Sequence, residues 1–318
     1  MLDIGTQADE YAIMKLYAHM QADKDCGGCC GEIEVDLAQN SSGLGEYLVQ
    51  AAQFFEYKLG HTPDKACESF FGFVSVLPGA YSMFRWKAIK GGPLDAFFKN
   101  VNSSEIPTCA EANEYLAEDR IMCLQIYIKT QEKYKLAFVP DAKAFTDAPP
   151  NMMVLIKQRR RWMNGSLFGT SKVIGNFVNM VSCRKTKHSC CRQFGMFIYM
   201  IYSSTLFVFQ FFIVGAMFAS IYVFYNQIFS SMFDGRGGIV KYFGNGTATT
   251  IFAYVYIFLL VLCLIMALAL PLDRAKSCFM VTTVLFAIMT LSCIFGMCAY
   301  LAESGFFPEE KTFDKEDW

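Results

Sequence analysis

Three stretches of this chain carry no charged residue at all: Phe197 to Phe224, Ile251 to Leu270 and Phe279 to Leu301. A hydrocarbon core of roughly 30 Å is crossed by about 20 helical residues, and each stretch reaches that length. Inside a bilayer only a helix or a closed barrel satisfies every backbone N–H and C=O. The runs therefore predict three transmembrane α-helices, at about 197–224, 251–270 and 279–301. Three buried helices of a soluble core are the alternative, but buried helices rarely avoid charge for so long. The chain is 54% hydrophobic and 18% charged over 318 residues, and the apolar excess is concentrated in these runs. Residues 1–150 read as a mixed globular sequence.

The formal net charge of −1 hides an asymmetry. Between Asn151 and Gln193 there are nine Lys or Arg and no Asp or Glu. Positive segments flanking membrane helices stay in the cytosol, so the N-terminal domain is expected on that side. The loop 226–250 then faces the opposite compartment, where the acceptor pattern Asn245-Gly246-Thr247 has a use. Arg274 and Lys276 return to the cytosol, and an acidic tail, 303–318, ends outside. Thirteen cysteines with no secretory signal argue for reduced thiols. Cys26-x-x-Cys29-Cys30 and the group Cys183, His188, Cys190 and Cys191 raise zinc as a question. Neither has a second pair at finger-like spacing.

Before the first run, strand-like and helix-like segments alternate, which predicts an α/β domain. Strand character is read at Leu2 to Thr6, Gly27 to Val35 (after a glycine-rich turn), Phe70 to Leu77 and 135–139. Helices are read near Tyr11 to Tyr17, over Gly45 to Leu59 and over Glu111 to Lys129. Pro149-Pro150 sets up a further helix that carries QRRRW, residues 158–162. Beyond Gly165, Ile174, Phe177, Val178 and Val181 repeat at i, i+3, i+4 and i+7. That pattern suits an amphipathic helix lying in the membrane surface. The expected domains are 1–165 cytosolic, 166–195 interfacial helix and basic linker, 196–302 membrane region, and 303–318 tail.

On a helix Gln158, Arg161 and Trp162 share a face, with Arg159 and Arg160 turned elsewhere. An amide, a guanidinium and an indole together suit a diphosphate gripped by the arginine fork and a sugar ring stacked on the indole. A basic patch on anionic lipid headgroups is the competing reading.

QRRRW resembles the Q-x-x-R-W signature of processive family-2 glycosyltransferases, and its three-arginine form resembles the chitin synthases. Other stretches match in order. LDIGT (2–6) resembles the Asp-containing loop standing in for a D-x-D motif, and CGGCCGEIEVD (26–36) a GGACGEI-type segment. ESFFGFVSVLPGAYSMFRW (68–86) is similar to the acceptor-site run, and AEDR (117–120) to the E-D-R motif.

The resemblance implies a partial glycosyltransferase A-type α/β domain, an interfacial helix and three membrane spans. It implies transfer of N-acetylglucosamine from UDP-GlcNAc to the non-reducing end of a growing β-1,4-linked chitin chain, which leaves through the membrane. Asp119 would be the general base, with Glu118 beside it. Asp3 would hold a divalent cation, Mg²⁺ or Mn²⁺. Gln158, Arg159, Arg160, Arg161, Trp162, Leu77, Pro78, Gly79 and Arg120 would contact substrate.

The implied partners are UDP-GlcNAc, the growing chitin chain and the lipid bilayer, with a homo-oligomer left open and no nucleic acid. The implied place is the plasma membrane, as a multi-pass protein with a cytosolic catalytic domain. Against the family pattern, the donor-binding half upstream and the last membrane segments are expected to be missing, which predicts that this chain alone binds UDP-sugar weakly. A hyaluronan or cellulose synthase is the nearest alternative, and a non-catalytic membrane protein or inactive fragment a further one. Against a channel stands the lack of any Asp, Glu, Lys, Arg or His inside the three runs.

Overall fold

The computed structural model describes residues 1–36, 43–99, 108, 111–113, 116–182, 185–233, 247–271 and 273–303. Asn245 and Gly246 of the glycosylation pattern, Cys183 and residues 304–318 of the acidic tail lie outside them. The chain divides into two compact units, Met1–Val208 and Phe209–Trp318.

In the first unit the described elements run β1 (Thr6–Ala8), α1 (Ala12–Ala22), β2 (Cys26–Val35), α2 (Leu44–Leu59), a π-helical turn (Gly60–Lys65), α3 (Ala66–Phe70), β3 (Ser82–Phe84), α4 (Trp86–Ile89), α5 (Gly92–Phe98), α6 (Glu118–Tyr127), β4 (Lys135–Thr146), α7 (Met152–Gly175), α8 (Phe177–Val181) and α9 (Cys190–Gln210). The sheet order is β1-β4-β2-β3, with β2 and β4 parallel and both edges antiparallel. Both faces are covered. Cys30, Leu136 and Phe138 join Phe73, Leu77, Ile126 and Met200 on one side, while Cys26, Cys29, Ile33 and Ala144 meet Leu16 and Met20 of α1 on the other. A strand buried on two faces is apolar along most of its length; β2 carries no charge from Cys26 to Gly31, and its Glu32 and Glu34 are ion-paired with Lys58 and Lys143.

Two sequence expectations change here. The glycine-rich start of β2 is strand from Cys26 onward, with no turn. A Cβ on Gly28 would stand 2.8 Å from Leu77 Cδ1, and one on Gly31 1.9 Å from the Ala142 carbonyl oxygen, so glycine is needed for close approach. The run from Phe70 to Leu77 is no strand: it leaves α3 through Gly72 at φ +78° and continues without regular pairing. Phe70 is exposed, but the rest of the run is largely core, with Phe73, Val74 and Leu77 fully buried. Burial of a run without helical period reads as a strand, yet here it is an irregular segment packed into the core.

The helix expected over Glu111 to Lys129 is interrupted: Glu111 to Asn113 are helical, Leu116 and Ala117 form a turn, and α6 starts at Glu118. Glu118 and Asp119 thereby sit in its first turn. For α7 the N-cap is Asn151, whose side chain accepts from the Val154 N–H at 3.1 Å. Residues 166–195 fall on the end of α7, on α8 and on the start of α9. Val173 and Met180 are core there, Phe177 and Val181 pack on it, and Val178 is exposed.

The second unit contains α10 (Ile213–Phe233), α11 (Ala248–Ala269) and α12 (Lys276–Glu303). Among the described residues two helices are long and apolar enough to cross a membrane, over Thr249–Ala267 and Lys276–Cys298, which coincide with the second and third expected spans. The first expected span is broken at Phe211 and Phe212, so α9 and α10 pass the same test together as a bent pair, which makes a third span if the pair counts as one. Part of the reason lies in α9, where Met196, Tyr199 and Met200 are core residues of the α/β unit. Within the second unit Tyr225 stacks on Phe252 at 3.7 Å and donates to the Met289 carbonyl at 3.3 Å.

Candidate active site

The chain between Phe73 and Ser82 is held at both ends. Leu77 N–H donates to Cys123 Sγ at 3.2 Å, and the Leu77 side chain is wholly in the core, so packing is its structural role. The next residues, Pro78-Gly79-Ala80, stand between the N-terminal segment and α6. Asp3 N–H donates to the Ala80 carbonyl at 3.1 Å, and Gly79 N–H donates to Asp119 Oδ2 at 2.9 Å. Asp3, the Pro78–Ala80 turn and Asp119 are thus brought together from three distant parts of the sequence.

Burial of its carboxyl group raises the Asp119 pKa to about 6, and the carboxylates of Glu118 and Asp3 push the same way. The Gly79 N–H and the Arg120 guanidinium oppose the rise. Desolvation wins because one neutral N–H and one cation do not replace full hydration. A carboxylate that changes charge near pH 6 is matched to taking a proton in neutral solution.

Arg120, partly exposed, lays its side chain against Gly169 of α7. Its pKa is lowered by burial and supported by Glu68, Cys123, Tyr199 and Asp119. Glu68 is itself a hub: Oε1 accepts from Tyr199 OH at 2.8 Å and Oε2 from Ser75 N–H at 2.9 Å.

α7 comes close to α6 at two glycines. A Cβ on Gly165 would lie 2.9 Å from the Leu116 carbonyl oxygen, and one on Gly169 2.8 Å from Arg120 Cδ. Each glycine costs a helix interior about 1 kcal/mol, and the contact explains why two are present. One turn earlier on the same helix stand Gln158 to Trp162. Arg160 and Arg161 are exposed. Arg159 is not: Nη2 donates to Glu56 Oε2 at 2.5 Å, and its guanidinium carbon lies 4.5 Å from the Trp162 ring centroid. Tyr57 stacks on Trp162 at 6.3 Å and 19°. The expected face therefore gains a member, since Arg159 and Trp162 are also i, i+3 and a long stem lets the guanidinium swing over the ring. Gln158 Oε1 is buried and has no hydrogen-bond partner among the described residues.

Sequence reasoning missed Glu56, Tyr57, Glu68, Gly165 and Gly169. Only the small-x-x-x-small spacing of the two glycines was a signal in advance. The zinc question turns on burial. Cys26, Cys29 and Cys30 are core thiols, His188 is buried and stacked on Tyr127 at 4.4 Å, and among the described residues no group of three ligating side chains forms.

A mixed α/β sheet that presents a desolvated carboxylate beside a glycine turn is followed by helices long and apolar enough to cross a membrane, an arrangement compatible with a membrane-associated glycosyltransferase. A family model described as a chitin synthase-like glycosyltransferase domain matches residues 1–177. The chain is 38% identical over 253 residues to chitin synthase 2 of Mycosarcoma maydis, covering 77% of this chain and 23% of that protein. It is 34% identical over 223 residues to chitin synthase 1 of Phytophthora sojae, covering 70% and 24%. For chitin synthase 1 of Fusarium oxysporum f. sp. lycopersici the figures are 35% over 245 residues, 75% and 27%. This chain belongs to the chitin synthase-like glycosyltransferase family, and it spans about a quarter of the length of the curated relatives it matches.

Proposed function

We propose that this chain is part of a membrane-bound chitin synthase, with a glycosyltransferase A-type domain that adds N-acetylglucosamine from UDP-GlcNAc to the non-reducing end of a β-1,4-linked chain and passes the product across the bilayer. The observation that carries the reading is the carboxyl group of Asp119, held by Gly79 N–H and carried up to about pH 6 by burial and by two neighbouring carboxylates. In the proposed step Asp119 takes the proton of the acceptor hydroxyl as that oxygen attacks the anomeric carbon, and UDP departs with inversion. Glu118 tunes the base. Pro78 and Gly79 form the acceptor floor, Trp162 stacks the acceptor sugar, and the exposed Arg160 and Arg161, with Gln158 beside them, face the diphosphate.

A divalent cation fits the donor set. Mg²⁺ is commonly bound through one or two carboxylates together with substrate phosphates, and Asp3 offers an exposed carboxylate close enough to Asp119 to raise its pKa. Asp3 would hold the ion, which supplies neutralising charge to the diphosphate when bound. The basic block before the apolar helices supports a cytosolic site, and a plasma-membrane location is part of the same proposal. The exposed Val178 supports contact of α8 with the bilayer surface, and the paired helices α9 and α10 would supply the third span.

The test uses membranes bearing the protein and radiolabelled UDP-GlcNAc. Incorporation into a chitinase-sensitive polymer that disappears with Asp119→Asn supports the reading. A chitinase-resistant polymer points to a different glycan, and either no incorporation or incorporation indifferent to Asp119→Asn overturns the assignment.

A further inference from the structure

We propose that Glu56 and Tyr57 are positioning residues for Trp162: they hold the indole in one orientation, Glu56 by fixing Arg159 over the ring and Tyr57 by stacking against it. The proposal rests on the reading above that Trp162 supports the acceptor sugar. Arg159 stands apart from its neighbours in the arginine run, because Arg160 and Arg161 are exposed whereas its own side chain is only 19% accessible. One guanidinium nitrogen is spent on Glu56, and the flat face of the group covers Trp162. A guanidinium over an indole is attracted to the ring and limits how far it turns.

Tyr57 is anchored in turn. Its hydroxyl accepts from Gln53 Nε2 at 3.0 Å, where Gln53 is 1% exposed. The buried His61 meets its ring edge-on at 5.9 Å and bonds the Tyr57 carbonyl oxygen through Nδ1 at 2.8 Å. Trp162 itself remains 37% exposed. An aromatic ring with a fixed backing and an open remainder stacks a sugar without first losing rotamer freedom, which favours binding. The five residues Gln53 to Tyr57 thus place two supports one after the other on α2, both reaching the same turn of α7.

The experiment reads the indole directly, in the full chain with Trp86→Phe and Trp318→Phe so that Trp162 is the only tryptophan. Collisional quenching of its fluorescence by acrylamide is compared for Glu56→Gln, Tyr57→Leu and Arg159→Lys. The expected result is an increase in quenching of about twofold for Glu56→Gln and Tyr57→Leu, given the size of one cation–π contact and one partly exposed ion pair, and a smaller one for Arg159→Lys, which keeps a cation at the ring. In membranes that make polymer, the single variants raise the KM for a chito-oligosaccharide primer about fivefold with a smaller change in kcat. Quenching that is unchanged in both Glu56→Gln and Tyr57→Leu overturns the proposal. Quenching that rises while primer KM stays constant leaves the positioning in place and removes Trp162 from the acceptor site.

Discussion

Gly79 gives its backbone N–H to the carboxylate of Asp119 across 2.9 Å, tying a turn seventy-odd residues into the chain to the first turn of a helix forty residues later. The bond orients the carboxylate but does not cancel the cost of its burial, which is why the group titrates near pH 6 and not near its usual value. If Asp119 is the base, activity rises with pH through about 6, because only the deprotonated form accepts a proton. Removing the Glu118 charge in Glu118→Gln is expected to move that limb toward lower pH by a few tenths of a unit, roughly the weight of one neighbouring charge. Initial rates of polymer synthesis between pH 5 and 8 measure both, and an unmoved limb in Glu118→Gln contradicts the electrostatic account. Asp119→Asn should cost on the order of 10²- to 10⁴-fold in rate.

His61 makes stability depend on pH. Burial, with Lys65 nearby, lowers its pKa from 6.5 to about 4. The unfolded chain therefore takes up a proton below pH 6.5 that the folded chain refuses. The contribution is fully present above pH 6.5 and is lost as pH falls toward 4, with a magnitude of about 3 kcal/mol. His61→Phe should weaken this acid sensitivity, seen as a smaller fall in Tm between pH 7 and pH 4.5 than in the parent chain.

Gly165→Ala should force α7 away from the turn at Leu116, since the added Cβ would meet a backbone oxygen at 2.9 Å. Overpacking of this kind costs about 1–3 kcal/mol, more than the helix propensity the substitution gains. Denaturant melts of the detergent-solubilised chain give the balance, and a net stabilisation would show that the helices part at no cost.

Tyr199→Phe keeps the ring that packs on Phe71 and Phe73 but removes the hydroxyl bound to Glu68. A buried acceptor losing its donor costs roughly 1–3 kcal/mol. Thermal denaturation reads the loss, and the smaller effect expected from an exposed tyrosine such as Tyr17 serves as the comparison.

The parts of the fold that were legible in the sequence are those with a clean period or a long run. The helix read over Gly45 to Leu59 differs by one residue from α2, and the second and third apolar runs coincide with helices of spanning length. The misreadings share one cause, long-range packing. In the run from Phe70 to Leu77, the part from Phe73 to Leu77 is apolar because the core surrounds it, and the charge-free run from Phe197 starts inside the α/β unit before it reaches a break. At the site, motif resemblance picked out Asp3, Gly79 and Asp119, which the fold brings together. It could not find Glu56 or Glu68, because a carboxylate whose partner lies about a hundred residues away leaves no mark in local spacing.

One side chain links the apolar helix α9 to the turn at Pro78. Glu68 grips Tyr199 with one oxygen and the backbone of Ser75 with the other, three residues ahead of that turn. A displacement of α9 is therefore passed, through two hydrogen bonds of Glu68, to the segment that leads into the proposed acceptor floor. Under the proposed function, traction on the product and the setting of the next acceptor would then be mechanically linked.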